Sequence, residues 1–512
     1  MTSSERLFRL RRVFAAGLAL LLALSGCAAK PSQTFTPQTD AEIPAELAEF
    51  YSQTIDWRSC GEHTFCGTVE VPADYSNVAA GKLKLSLAYH EASVAKPLGS
   101  IIFNPGGPGS SGVDWIVDSW NQLGTSKLRN NFNLVGFDPR GVGQSEPRVK
   151  CLEPKKMDEF LYGSSGAAVD SEVEKEYSKS KLKNFIAACQ KNTGKYLGNV
   201  DTVSSARDLD VIRAAFGEKQ ITYLGFSYGT LLGVTYASLF TNRVGKMVLD
   251  GAIDPTLSKE TQSLDQLQGF DLAITNYLTE CLDSQDCPFT GSLASAKKKL
   301  SALLLQTETK PLPTDSGRKL SIWGLITGMI MPLYSSDWWP ALTQGLQEAL
   351  DGDGSTLLTL ADNYNDRNDS GGYNSNVTES HIAISCLDAR QSSDLQKVTE
   401  SNNRIIATGS IFARYWLDGY LGCSGWPYPL AERPSDYSAK GSNPILVVGT
   451  KGDPATPYDQ AVSLAESVLA NGHLITYNGE GHTAYGGASQ CVNDAVDAYF
   501  FENVVPAEDP DC

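Results

Sequence analysis

The apolar run Ile221-Thr222-Tyr223-Leu224 ends in Gly225-Phe226-Ser227-Tyr228-Gly229 and passes at once into a stretch of helical periodicity, Tyr228 to Phe240. No other feature constrains the fold as strongly. A strand that becomes a helix within a Gly-x-Ser-x-Gly run must turn sharply, holding the serine in strained backbone with its Oγ exposed. The strand then lies buried in a sheet and the helix packs back across its face, the arrangement of a parallel α/β sheet. The plainer alternative is a glycine-rich turn whose serine only caps the helix. Its placement after a strand and before a helix favours the sharp turn.

The surrounding chain repeats this alternation. Short apolar runs predict strands at Lys84 to His90, Ser100 to Asn104, Leu134 to Asp138, Ile221 to Leu224 and Lys246 to Asp250, with a helix over Ser204 to Phe216. From about 256 to 425 the pattern turns helical, with Leu264 to Leu282, Ala294 to Leu305, Ile322 to Leu333 and Trp338 to Leu350. The alternation then resumes with a strand at Pro444 to Thr450, a helix at Tyr458 to Leu469, a strand at His473 to Asn478 and a helix at Val492 to Phe501. This predicts one α/β core, residues 55–255 and 426–512, interrupted by a helical cap at 256–425. Gly352 to Asn376, rich in Asp, Asn, Gly and Ser, reads as a surface loop.

A serine nucleophile needs a histidine base and an acid that orients it, in the chain order Ser, acid, His for this type of turn. Of the five histidines (63, 90, 381, 473 and 482), the last two follow the resumed α/β segment. His473 begins a strand and reads as structural, whereas His482 sits in a glycine loop after it. Asp453 lies just past the buried strand Pro444 to Thr450, at the strand end where catalytic groups gather. Asp250 also ends a strand and is the rival acid. The amide of Tyr228 opens a helix, and Asn104-Pro-Gly-Gly-Pro-Gly-Ser-Ser-Gly112 follows another strand, so Tyr228 and Gly107 are the expected oxyanion donors. Gly107 to Gly112 also fits GxGxxG, with Asp138 ending the next strand, but a dinucleotide reading competes for a loop the triad already requires.

The N-terminus carries Arg6, Arg9, Arg11 and Arg12, then an apolar run from Val13 to Leu24, shorter than the roughly 20 residues that span a bilayer. Leu24-Ser25-Gly26-Cys27 resembles a bacterial lipobox, so residues 1–26 are expected to be a signal peptide, Cys27 the acylated residue and 27–54 a tether. The expected location is outside the cytoplasmic membrane, anchored to it by lipid. Eleven cysteines less Cys27 leave ten, an even number suited to an oxidising compartment. Pairing sequential neighbours, 60 with 66, 151 with 189, 281 with 287, 386 with 423 and 491 with 512, closes short loops without crossings; it is one of many connectivities the sequence allows. Cys60-x-x-His63-x-x-Cys66 lacks a fourth ligand nearby, so no metal is expected. A net charge of −17 removes the electrostatic drive for nucleic-acid binding.

Taken together, Asn104-Pro-Gly-Gly-Pro-Gly, Phe137-Asp-Pro-Arg-Gly-Val-Gly-Gln-Ser145, Gly225-Phe-Ser-Tyr-Gly-Thr230, Val248-Leu-Asp-Gly251 and Gly481-His-Thr483 resemble the exported tripeptidyl aminopeptidases of actinobacteria. These form part of the proline iminopeptidase-like branch of the α/β-hydrolases, to which mycobacterial envelope carboxylesterase/serine proteases are similar. The resemblance runs from about residue 55 to the C-terminus. It implies an α/β-hydrolase fold, peptide hydrolysis from the N-terminus, and Ser227, Asp453 and His482 as the triad, with no cofactor. Asn104 stands where iminopeptidases have His. A substrate ammonium calls for a carboxylate, and Asp388 and Glu480 are the expected ones. A carboxylesterase or lipase would use the same triad, and a non-catalytic binding lipoprotein is the remaining alternative. A monomer is expected.

Overall fold

The computed structural model describes residues 31–512 apart from 41, 391, 393, 418–422 and 424, so the expected signal peptide and Cys27 lie outside the described residues. Nine strands form one sheet: β1 (Arg58–Gly61), β2 (Thr64–Pro72), β3 (Lys82–His90), β4 (Ser100–Asn104), β5 (Asn133–Phe137), β6 (Ile221–Phe226), β7 (Val244–Asp250), β10 (Ile445–Gly452) and β11 (Gly472–Glu480). Two short strands, β8 (Leu312–Pro313) and β9 (Lys319–Leu320), pair elsewhere. The order across the main sheet is β1-β2-β3-β5-β4-β6-β7-β10-β11. The first three pairings are antiparallel and those from β5 to β11 are parallel. The chain leaves β4 for β5 on one side and returns to β6 on the other. The loops after β4 and β6 therefore leave the sheet side by side, at the crevice where α/β sheets place their ligands.

The central strands are buried on both faces, which is why they read as continuous apolar runs rather than alternations. One face packs against the helices Thr202–Ala215 and Tyr228–Leu239, the other against Gly112–Ser119 and Gln490–Glu502. β2 was not legible because Cys66-Gly67 breaks its alternation of Phe65, Val69 and Val71. Glu172–Thr193 forms a long helix that periodicity also missed, since only its second half buries apolar groups, Phe185, Ile186 and Cys189.

The inserted block builds its own core from Leu267, Phe270, Leu300, Leu325, Leu346 and Leu357. Two boundaries differ from expectation. Tyr162, from the first core segment, is buried in the cap, and the helix Val377–Asp388 packs Ala383, Ile384 and Leu387 into the main core. The segment expected to be a loop at Gly352 to Asn376 contains a helix, Ser355–Tyr364, because its polar flanks conceal Leu357, Leu358, Leu360 and Ala361, all buried. The expected tether is docked from Ser32 onward. Ser32 donates to Glu91, Gln38 N donates to Ala214 O at 2.9 Å, and the Phe35 ring lies 4.7 Å from that of Phe216. The ten cysteines form Cys60–Cys66, Cys151–Cys189, Cys281–Cys287, Cys386–Cys423 and Cys491–Cys512.

Candidate active site

Ser227 follows β6 with φ 55° and ψ −123°, a conformation that costs a non-glycine residue about 1–3 kcal/mol. The surroundings hold it there. Its amide donates to Asp250 O at 2.9 Å, and its carbonyl accepts from Thr230 N at 2.8 Å and from Thr230 Oγ1 at 2.6 Å. The glycines serve close approach: a Cβ at Gly229 would stand 2.6 Å from Asn104 O, and one at Gly106 would stand 2.9 Å from Ser227 Cβ. The turn after β6 and the loop after β4 are thus locked together through backbone.

Asp453 lies beyond β10, fully buried, in a turn it stabilises itself. Its Oδ1 accepts from the amides of Ala455 (2.8 Å) and Thr456 (2.9 Å), and its Oδ2 accepts from Thr456 Oγ1 (2.8 Å). His482, in the loop after β11, places Nδ1 2.8 Å from Asp453 Oδ2 and 2.9 Å from Oδ1. Burial works against the imidazolium, but the Asp453 carboxylate outweighs it and holds the His482 pKa above its ordinary value. Asp250, the rival acid, instead accepts from the amides of Ala484 (3.0 Å) and Tyr485 (2.8 Å) and so fixes the segment that follows His482. A Cβ on the adjacent Gly251 would meet His482 Cε1 at 3.1 Å. The end of β7 therefore braces both the serine turn and the histidine loop.

Among the described residues, neither the Gly107 amide nor the Tyr228 amide donates to a protein acceptor. The Tyr228 amide opens the helix beside the strained serine and Gly107 lies exposed on the neighbouring loop, so both N–H groups are left to donate to an anion in the site. Asn104 shapes the loop through Oδ1, which accepts from Gly106 N at 3.0 Å. Asp138, the acid of the dinucleotide reading, is fully buried and accepts from Ser111 Oγ, Val113 N and Gln144 N, which leaves it nothing to offer a ribose. Cys60 and Cys66 are joined in a disulfide around His63 and provide no thiolates for zinc.

The cap supplies residues that sequence reading did not identify. Tyr334 O accepts from His482 N at 2.8 Å, its ring stands edge-on 5.3 Å from the imidazole, and its hydroxyl lies 3.2 Å from that of Tyr364. No sequence pattern distinguishes Met-Pro-Leu-Tyr334 as a contact of the catalytic loop. The expected amine ligands are placed differently from each other. Both oxygens of Asp388 accept from Thr202, Oδ1 from the amide at 2.8 Å and Oδ2 from Oγ1 at 2.5 Å, and burial pushes its pKa up to about 7. Glu480 Oε1 accepts from Asn276 Nδ2 at 2.8 Å, while Oε2 is buried and has no hydrogen-bond partner among the described residues.

Residues 409–512 match the family described as TAP-like protein. The sequence is 34% identical to serine protease Hip1 of Mycobacterium tuberculosis, over 100% of this chain and 99% of that protein. It is 34% identical to carboxylesterase B of the same species, over 94% of this chain and 93% of that protein. With the tripeptidyl aminopeptidase of Streptomyces lividans it shares 30% identity, over 90% of this chain and 86% of that protein.

Proposed function

The chain belongs to the TAP-like family and is a serine hydrolase of the α/β-hydrolase fold, and from that premise we propose that it cleaves peptides from their N-terminus through an acyl-enzyme. Ser227 Oγ attacks the scissile carbonyl while His482 Nε2 takes its proton, and Asp453 holds the imidazole by Nδ1. The amides of Gly107 and Tyr228 stabilise the tetrahedral oxyanion. His482 passes the proton to the leaving amine, then activates water to release the acyl group and restore Ser227.

The observation that carries the preference for chain ends is the grip of the cap on the catalytic loop, through Tyr334 and His482. A site roofed at its own base admits a terminus more readily than the middle of a polypeptide. We assign the substrate ammonium to Glu480, two residues before His482, whose buried second oxygen has no partner among the described residues. A terminal-cleavage profile on free peptides tests the reading: N-acetylation should abolish cleavage, and Glu480→Gln should raise KM for free-amine peptides only. Equal cleavage of acetylated peptides would overturn the amine requirement, and turnover of short-chain esters with no cleavage of any peptide would establish the esterase reading that the carboxylesterase B relative supports.

The proposal includes export and lipid attachment at Cys27. Five disulfides support an oxidising compartment. Cys27→Ala should release the protein from membranes; continued membrane attachment would exclude the anchor.

A further inference from the structure

One helix outside the triad, Val377–Asp388, touches both arms of the anion site. Its first turns lie against the loop after β4: a Cβ at Gly109 would stand 2.6 Å from Ser380 Oγ, 2.7 Å from Val377 O and 3.1 Å from His381 N. Its last residue reaches the other arm. Asp388 takes both donors of Thr202, and Thr202 Oγ1 lies 2.6 Å from the hydroxyl of Tyr228, the residue whose amide opens the helix after Ser227. The Tyr228 side chain is buried, so its hydroxyl needs this partner.

The far end of the helix is itself fixed. Cys386 is bonded to Cys423, Cys386 O accepts from Arg390 Nε at 2.9 Å, and Leu387 O accepts from Ala431 N at 2.9 Å. A rigid element that meets two oxyanion arms at opposite ends controls the distance between them. Oxyanion donors work only within a few tenths of an ångström of the position the developing charge will occupy.

We infer that Asp388 is a positioning residue for the oxyanion site, acting through Thr202 and the Tyr228 hydroxyl, rather than a ligand of the substrate amine. The chain of bonds runs from a carboxylate that keeps both oxygens on one threonine, to a hydroxyl shared with Tyr228, to the peptide unit that presents the Tyr228 amide. The first turn of the same helix sets the loop that carries the opposite donor, through its close approach to Gly109. The inference rests on Ser227 as nucleophile and on Gly107 and Tyr228 as donors, but not on whether the substrate is a peptide or an ester.

The test uses the full-length enzyme with a free-amine peptide, the same peptide acetylated, and a short-chain ester. Asp388→Asn, Thr202→Val and Tyr228→Phe should each lower kcat about 10- to 100-fold on whichever substrate is turned over, with KM within about twofold. Affinity for a trifluoromethyl ketone, which forms an oxyanion on Ser227, should fall by the same factor as kcat. The double variant Asp388→Asn/Tyr228→Phe should be no worse than the poorer single, because both break one chain. Asp388→Glu should not restore kcat, since its longer arm cannot keep both bonds to Thr202. A rise in KM confined to the free-amine peptide, with kcat intact, would make Asp388 the amine ligand and overturn the inference. Unchanged kcat with only a lower melting temperature would also overturn it. Should Asp388→Asn not fold, Tyr228→Phe, which deletes one buried hydroxyl, decides alone. Fluorophosphonate labelling of Ser227→Ala separates the two levels: labelling that persists refutes the nucleophile, whereas labelling that is lost leaves the positioning chain to stand or fall on the variants.

Discussion

In the core, Ser227, Asp453 and Gly107 follow β6, β10 and β4, strands fixed by backbone ladders and buried on both faces. In the cap, Tyr334 reaches the same site from a short helical turn, set by the packing of Leu and aromatic side chains around it and by single hydrogen bonds to His482 N and the Tyr364 hydroxyl. The first kind of placement is set by hydrogen-bond geometry and tolerates little error. The second is set by side-chain packing, which varies with small changes in sequence and so suits the control of access more than chemistry.

The comparison breaks most sharply at Asp453. Asp453→Asn should lower kcat/KM about 10⁴-fold, since the imidazole loses both its orientation and its counter-charge. It should also move the pH profile. With Asp453 present the His482 pKa is raised, so kcat/KM should fall tenfold per unit as pH drops below a value above 6.5 and level off above it. Removing the carboxylate leaves burial as the larger influence, which disfavours the imidazolium, so the acid limb of the residual activity should shift to lower pH. A profile that does not move would mean that His482 is not the titrating base.

A second test separates the stability of the regions. Leu357 is fully buried in the cap, where a Cβ on Gly328 would meet its carbonyl at 2.1 Å and one on Gly345 would meet its Cγ at 2.9 Å. Leu357→Ala should cost about 2–5 kcal/mol, read as a lower denaturation midpoint. If the cap acts chiefly as a gate, labelling of Ser227 by a small fluorophosphonate should survive at temperatures where the folded variant persists. Loss of labelling in the folded variant would tie the cap to the chemistry.

The same contrast determines what could be read from the sequence. The sharp turn at Ser227 and the pairing of Asp453 with His482 were legible because glycine and apolar runs mark the strand ends at which they lie. Asp250 was legible as a strand-end acid, but only the bonds from the Ala484 and Tyr485 amides show that it braces the histidine loop. Helix 355–364 was hidden by polar flanks, and the docking of Phe35 on Phe216 by an N-terminal segment with no periodicity of its own. The contacts of Tyr334 and Asp388 were out of reach for a different reason. Each joins residues more than a hundred positions apart through side-chain packing or a single threonine, and no local pattern encodes such a meeting.

The smallest expected effect is the most informative about the cap. Tyr334→Ala keeps the backbone carbonyl that accepts from His482 N and removes the ring that stands edge-on to the imidazole together with its hydroxyl. An edge-to-face contact contributes about 0.5–1.5 kcal/mol, which corresponds to a loss in kcat/KM of about 2- to 12-fold. If the ring serves only to orient His482, the loss should appear in kcat and be equal for peptides and esters. If the ring is also a wall for the acyl group, KM should rise for peptides with a large residue at the cleaved bond and stay unchanged for acetyl esters. Tyr334→Phe, which retains the edge and loses the hydroxyl facing Tyr364, separates ring from hydroxyl: activity close to that of the parent assigns the effect to the ring, and a loss equal to that of Tyr334→Ala assigns it to the pair of hydroxyls.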